Sequence, residues 1–156
     1  MLEISIPGFG DLALAYLVAD FNGTLACDGR LLPGVSRRLR GLAKTLAVHV
    51  LTADTFKTCS AELSRLPVQV AVMPPRNQDR AKAAYVKKLG PGRCVCIGNG
   101  RNDVGMLRSC GLGIAVINEE CASARACAAA DIIAGNIADA LDLLGNPKRL
   151  LATLRS

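Results

Sequence analysis

The chain has 156 residues, 51% hydrophobic and 21% charged; this excludes disorder, which needs little apolar content and much charge, and the length buries roughly 70% of the unfolded surface without staples. Three Phe, two Tyr and no Trp require an aliphatic core, the composition of a parallel sheet covered by helices on both faces. Nineteen Lys and Arg against thirteen Asp and Glu give a net charge of +6, but basic residues never run beyond two and aromatics for base stacking are scarce, so nucleic-acid binding is disfavoured and a small anionic substrate suits the charge.

Along the chain, residues 2–6 alternate like an edge strand, the turn 7–11 follows, and the apolar run 12–19 ends in Asp20. Two strands around a Gly-rich turn predict a hairpin. Residues 21–34 carry Gly23, Gly29, Pro33 and Gly34 and read as a loop or small flap. Apolar residues at helical spacing predict a helix over 35–45. A strand over 46–51 ends at Thr52, and a helix over 55–66 follows with Asp54 or Thr55 as its N-cap. Residues 68–73 form a strand stopped by Pro74-Pro75, and 77–89 a helix ended by Gly90. The pattern continues as strand 93–97, a Gly/Asn loop 98–103, helix 104–110, strand 112–116, helix 122–129, strand 131–134, helix 137–144 and an amphipathic helix from Pro147. Alternating strands and helices predict an α/β fold: one domain over 1–156, built on a doubly wound, mostly parallel sheet with helices on both faces.

No apolar run reaches the roughly 18 residues a membrane helix needs, and no signal peptide is visible, so a cytoplasmic, membrane-free protein is expected. Seven cysteines then read as buried free thiols in a reducing compartment. Cys94 and Cys96 would share one face of a strand, but the single His49 cannot complete a zinc site with them.

Ligands of doubly wound sheets bind beyond the carboxyl ends of the strands, so the polar residues that end apolar runs are the candidates. Asp20 ends the second run, where a buried carboxylate requires a cation or a lysine. Gly23 and Thr24 then turn the chain, which brings backbone N–H groups toward an anion. Thr52 and Ala53 stand where a helix begins, a place that favours phosphate. Lys82 lies in the first turns of its helix, mismatched to the helix dipole unless it reaches an anionic centre. Asn99 and Asp103 sit in a loop whose oxygen-only side chains suit a hard cation such as Mg²⁺.

Together and in this order, these pieces resemble the haloacid dehalogenase superfamily. Its Asp-x-Asp-Gly-Thr-Leu motif is matched by Asp20-Phe21-Asn22-Gly23-Thr24-Leu25, its apolar strand ending in Thr by 48–52, its basic residue by Lys82, and its Gly-Asp-Gly-x-Asn-Asp motif by Gly98-Asn99-Gly100-Arg101-Asn102-Asp103. The spacing is most similar to the small capless members called soluble P-type ATPase-like, through residues 51–54 and 113–116. The resemblance implies a capless hydrolase in which Asp20 attacks phosphorus and becomes an aspartyl phosphate. Asn22, Gly23, Thr52, Ala53 and Lys82 would bind the phosphoryl group, and Asp20, Asn22, Asn99 and Asp103 would hold Mg²⁺. Two positions depart from the pattern: Asn22 replaces a carboxylic acid that would protonate the leaving group, and Asn99 removes a charge near the metal. These changes point to activated phosphates (acyl, aryl or ATP-like anhydrides) and slow turnover, with a low-activity binding or regulatory module as the alternative. A homo-oligomer is expected, since an exposed site without a cap gains shelter from a neighbour.

Overall fold

The computed structural model describes residues 1–53 and 58–156, and of Thr58 the backbone only. The predicted N-cap at Asp54 or Thr55 lies outside the described residues.

The chain opens with an antiparallel hairpin, β1 (Leu2–Ile6) and β2 (Gly10–Leu14), with Leu2 opposite Leu14. The apolar run expected to continue as one strand divides at Ala15, and a separate strand, β3 (Tyr16–Asp20), enters the main sheet. Ala15 makes the transition: its N–H donates to the Arg93 carbonyl, and its own carbonyl accepts from the Ala47 N–H. Hydropathy could not mark this break, because the run is apolar on both sides of it. A two-stranded flap follows, β4 (Ala26–Cys27) and β5 (Arg30–Leu31). Its turn places Asp28 and Gly29 at φ 49° and 76°, the left-handed pair a tight hairpin turn requires.

The alternation then runs α1 (Val35–Leu42), β6 (Ala47–Thr52), α2 (Thr58–Leu63), β7 (Val68–Val72), α3 (Gln78–Leu89), β8 (Cys94–Gly98), α4 (Val104–Ser109), β9 (Leu112–Val116), α5 (Ala124–Cys127), β10 (Ile132–Ala134), α6 (Ile137–Gly145) and α7 (Pro147–Leu154). Six strands form one parallel sheet in the order β10-β9-β8-β3-β6-β7. The predicted fold class is therefore the observed one. Element ends shift by a few residues. Most notably α1 stops at Leu42, where the Thr45 and Leu46 N–H groups turn back onto the Leu42 carbonyl. Among the described residues, no helix is long and apolar enough to cross a membrane.

The period of two along each strand sorts side chains between two cores. Leu17, Ala19, Val48, Val50, Val95 and Ile97 join Val35 and Leu39 of α1 and Leu141 and Leu144 of α6 on one face. Val18, Leu51, Cys94 and Cys96 join Val86 of α3 and Met106 of α4 on the other. Asp20, two residues after Val18, continues toward the α3 face. Sheet order reverses around β3, flanked by β6 and β8, so the crevice beyond its carboxyl end is the topological switch point.

The cysteines are free, as expected, but not uniformly buried. Cys59, Cys94 and Cys96 are buried, Cys27, Cys110 and Cys127 half-buried, and Cys121 exposed. The last stands in the loop after β9 at φ 61°, where no core is available to cover it.

His49, on β6, is buried between Tyr16 and Tyr85, with ring centroids 5.7 Å away on each side, and its Nδ1 lies 2.8 Å from the Tyr85 hydroxyl oxygen. Its Nε2 finds no partner among the described residues. Burial holds the imidazole below its ordinary value of 6.5, so on acidification the unfolded chain takes up this proton first and stability falls as pH drops below that value. We expect His49→Phe to reduce the loss of stability between about pH 7.5 and about pH 5.5, as measured by urea unfolding. An unchanged pH slope in the variant would refute this role.

Candidate functional site

Lys82 is the fifth residue of α3, on its buried face one turn before Val86. It is 1% exposed, which a lysine tolerates only when paired. Its Nζ donates to Asp20 Oδ1 at 2.5 Å and to Asp103 Oδ1 at 2.7 Å. Asp20 is delivered by the end of β3. Asp103 is delivered by the short 3₁₀ turn Arg101–Asp103 after β8, where its Oδ2 accepts the Asn99 and Gly100 N–H groups at 3.0 and 2.9 Å. That reach demands glycine below it: a Cβ on Gly98 would lie 2.6 Å from Asp103 Cγ.

Two carboxylates against one ammonium leave a buried excess of negative charge. Burial first, then Asp103, pushes the Asp20 carboxyl up to about 7, against the opposing pull of Lys82. Burial alone would lower Lys82, but the two carboxylates together raise it. Among the described residues, Lys82 is the cation paired with these two carboxylates. The buried Asn22 Oδ1 has no hydrogen-bond partner among the described residues, and Asn22 lines a pocket of about 280 Å³ alongside Asp20, Thr52, Ala53 and Asn99. An oxygen-only donor set with surplus negative charge fits a hard divalent cation.

The structure thus brings together Asp20, Asn22, Thr52, Ala53, Lys82, Asn99 and Asp103. Thr52 is buried at the end of β6, paired in register with Val72 of β7. Two candidates act differently from expectation. The Gly23 N–H does not await an anion: it donates to the Ala26 carbonyl at 2.7 Å, closing the base of the flap. Gly23 instead allows a close approach at φ 77°, where a Cβ would lie 2.5 Å from Asn99 Nδ2. The Asn99 amide is engaged at both ends, its Oδ1 accepting from the Thr24 hydroxyl at 3.2 Å and its Nδ2 donating to the Cys121 carbonyl at 2.9 Å. It ties the first loop to the loop after β9. Asn118 reinforces that tie, donating to the Gly23 and Thr24 carbonyls and accepting from the Ile137 N–H.

Gln78, Asn102 and Glu120 also line the pocket. Glu120 follows a strand end and is accessible to the rule of carboxyl ends. Gln78 carries no comparable sequence signal.

A family model described as haloacid dehalogenase-like hydrolase matches residues 81–140, the stretch that holds Lys82 and the Gly98–Asp103 loop. The uncharacterized protein MJ0073 of Methanocaldococcus jannaschii is 45% identical over 71 residues, spanning 45% of this chain and 76% of that protein. Among solved structures, a Legionella pneumophila protein described as a hydrolase of HAD superfamily subfamily III A superposes with a TM-score of 0.72 at 18% identity, covering 91% of this chain and 87% of that one. The 3-deoxy-D-manno-octulosonate 8-phosphate phosphatase of Moraxella catarrhalis, solved with magnesium, phosphate and the sugar acid, superposes with a TM-score of 0.70 at 18% identity, covering 92% and 94%.

Proposed function

This chain belongs to the haloacid dehalogenase-like hydrolase family, and from that premise we propose that it is a Mg²⁺-dependent phosphohydrolase working through Asp20, with activated phosphates as its preferred substrates. The observation that carries this reading is the buried Asp20–Lys82–Asp103 cluster at the switch point of the sheet. An Asp20 oxygen attacks phosphorus, the bond to the leaving oxygen breaks, and an aspartyl phosphate forms. Water then attacks the same phosphorus, releasing orthophosphate and restoring the carboxylate. Dividing one hard displacement into two is the gain of covalent catalysis. Lys82 and Thr52 hold phosphoryl oxygens as charge develops on them. Asp20 and the backbone carbonyl of Asn22 would hold Mg²⁺, with Asp103 in support. When bound, the ion neutralises the surplus carboxylate charge and the phosphoryl oxygens. Magnesium in the Moraxella phosphatase supports this assignment.

Asn22 stands where protonation of the leaving oxygen would originate. An amide cannot supply that proton, and alcohols leave poorly without one, whereas acyl, aryl and anhydride oxygens leave well. We expect Asn22→Asp to raise kcat/KM on alkyl phosphates by about 10²-fold, the lower end of general-acid effects, and on acetyl or para-nitrophenyl phosphate by much less. A phosphate-release assay with and without Mg²⁺ measures both. Equal gains on the two classes would overturn the leaving-group argument.

A second reading, a binding module with little turnover, draws on Asn99, whose amide is spent on structural bonds and adds no charge to the site. Absence of phosphate release from every activated phosphate, with phosphate binding retained, would favour it. The exposed apolar Val70 and Val72 on the edge strand β7 and Ile133 on β10 support self-association, which sedimentation measures. The free thiols accord with a reducing cytoplasm.

A further inference from the structure

The pocket at Asp20 does not stand alone. A second cleft of about 570 Å³ adjoins it, lined by Arg101, Arg125 and Asp79 among others, and the two share Gln78 and Asn102 as a common wall. That wall is held by a single hydrogen bond, Asn102 Nδ2 donating to Gln78 Oε1 at 2.9 Å. It is thin, polar and made of side chains. Both arginines are exposed, and neither forms an ion pair among the described residues. Asp79 is in the same cleft, but in the first turn of α3, where the helix dipole already favours it. The cleft therefore keeps a net positive lining.

The opposite rim carries the opposite sign. Glu120 lines the Asp20 pocket, and its carboxylate lies within 4.8 Å of the Cys27 thiol and the Asp28 carboxylate of the flap. An anionic group carried by a substrate is repelled from the flap side and drawn toward Arg101 and Arg125. Guanidinium groups suit that task, since they present forked donors that match carboxylate or phosphate oxygens.

Resting on the phosphohydrolase reading above, we infer that the substrate is doubly anionic: its transferred phosphoryl group sits at Asp20, and a second carboxylate or phosphate on the remainder of the molecule is held across the Gln78–Asn102 wall by Arg101 and Arg125. The two clefts are one elongated site divided by a polar ridge. Specificity for the leaving group resides at the Arg101–Asp103 turn and α5, where the chain has the positive charge to read it.

Non-hydrolysable phosphonates separate this inference from the reading it rests on. Methylphosphonate, which has a single anionic end, is compared by calorimetry in excess Mg²⁺ with phosphonoacetate, phosphonopropionate and phosphonobutyrate, and with alkylene bisphosphonates of the same spacers. The carboxylate and bisphosphonate arms distinguish the two candidate second anions. One spacer length is expected to bind about tenfold or more tightly than methylphosphonate, the gain of one charge-assisted contact. The double variant Arg101→Gln, Arg125→Gln is expected to lose that gain while still binding methylphosphonate, which also reports that its Asp20 pocket is intact. If methylphosphonate binds and no spacer of either series binds better, or if the gain survives in the double variant, the second subsite is refuted and the phosphohydrolase reading stands. If methylphosphonate itself does not bind and no activated phosphate is hydrolysed, both fall.

Discussion

Asp20→Asn is expected to abolish phosphate release, by about 10⁴-fold or more, as removal of an attacking nucleophile does elsewhere, while the protein stays folded. Asn keeps the volume and an oxygen for Lys82 Nζ, which also retains its bond to Asp103. It removes the like-charge contact with Asp103 that helps raise the Asp20 carboxyl to about 7. Thermal unfolding of the variant should therefore match or slightly exceed that of the parent chain, and phosphate affinity should rise as Lys82 loses a competing carboxylate. Residual turnover within tenfold of the parent would remove Asp20 from the chemistry.

Lys82→Met tests the other half of the cluster and is expected to have the largest effect on stability. Methionine replaces the aliphatic stem but leaves Asp20 and Asp103 facing each other without a cation. Removing one partner of a buried pair costs about 3–5 kcal/mol, and here two carboxylates are left uncompensated. Adding Asp20→Asn should recover part of the loss, because a single carboxylate then remains, still accepting the Asn99 and Gly100 N–H groups. The interaction between the two changes should exceed about 1 kcal/mol, as contacting residues in one network do. The pH dependence follows in sign. Without Lys82 the pull that lowers the Asp20 carboxyl is gone, so it stands further above its unfolded value, the native state binds more protons and the deficit shrinks as pH falls toward about 5. Urea unfolding of the single and double variants at two pH values measures all of this. Equal losses in the presence and absence of Asp20→Asn would mean that charge pairing is not what Lys82 supplies.

Much of the architecture is legible in the amino-acid pattern. The strand over residues 112–116 is legible to the residue, and β8 and α3 to within a residue or so, because apolar runs and Gly/Pro stops reflect burial that any fold must respect. Asp20 and Thr52 are legible because a polar residue ending an apolar run has few places to go except the mouth of the sheet, Lys82 because a lysine in the first turns of a helix is mismatched to the dipole, and Asp103 because it lies in the oxygen-rich loop after a strand. Asn22 and Asn99 are also legible as departures, yet not what each does. The amide of Asn99 is turned to Thr24 and the Cys121 carbonyl, and the Asn22 oxygen is left without a partner among the described residues. The break at Ala15 is hidden because apolar residues continue across it.

By itself, then, the sequence determined the α/β class, the alternation and the identity of the groups brought to the strand ends, since those follow from hydropathy and from local backbone preference. The tertiary structure alone decided which of those groups meet. Lys82 joins Asp20 across 62 residues and Asp103 across 21, Gly23 spends its N–H inside the flap, and Gln78 meets Asn102 to divide two oppositely rimmed clefts. These are contacts between distant segments, set by sheet order and helix docking, and no local pattern along the chain encodes them.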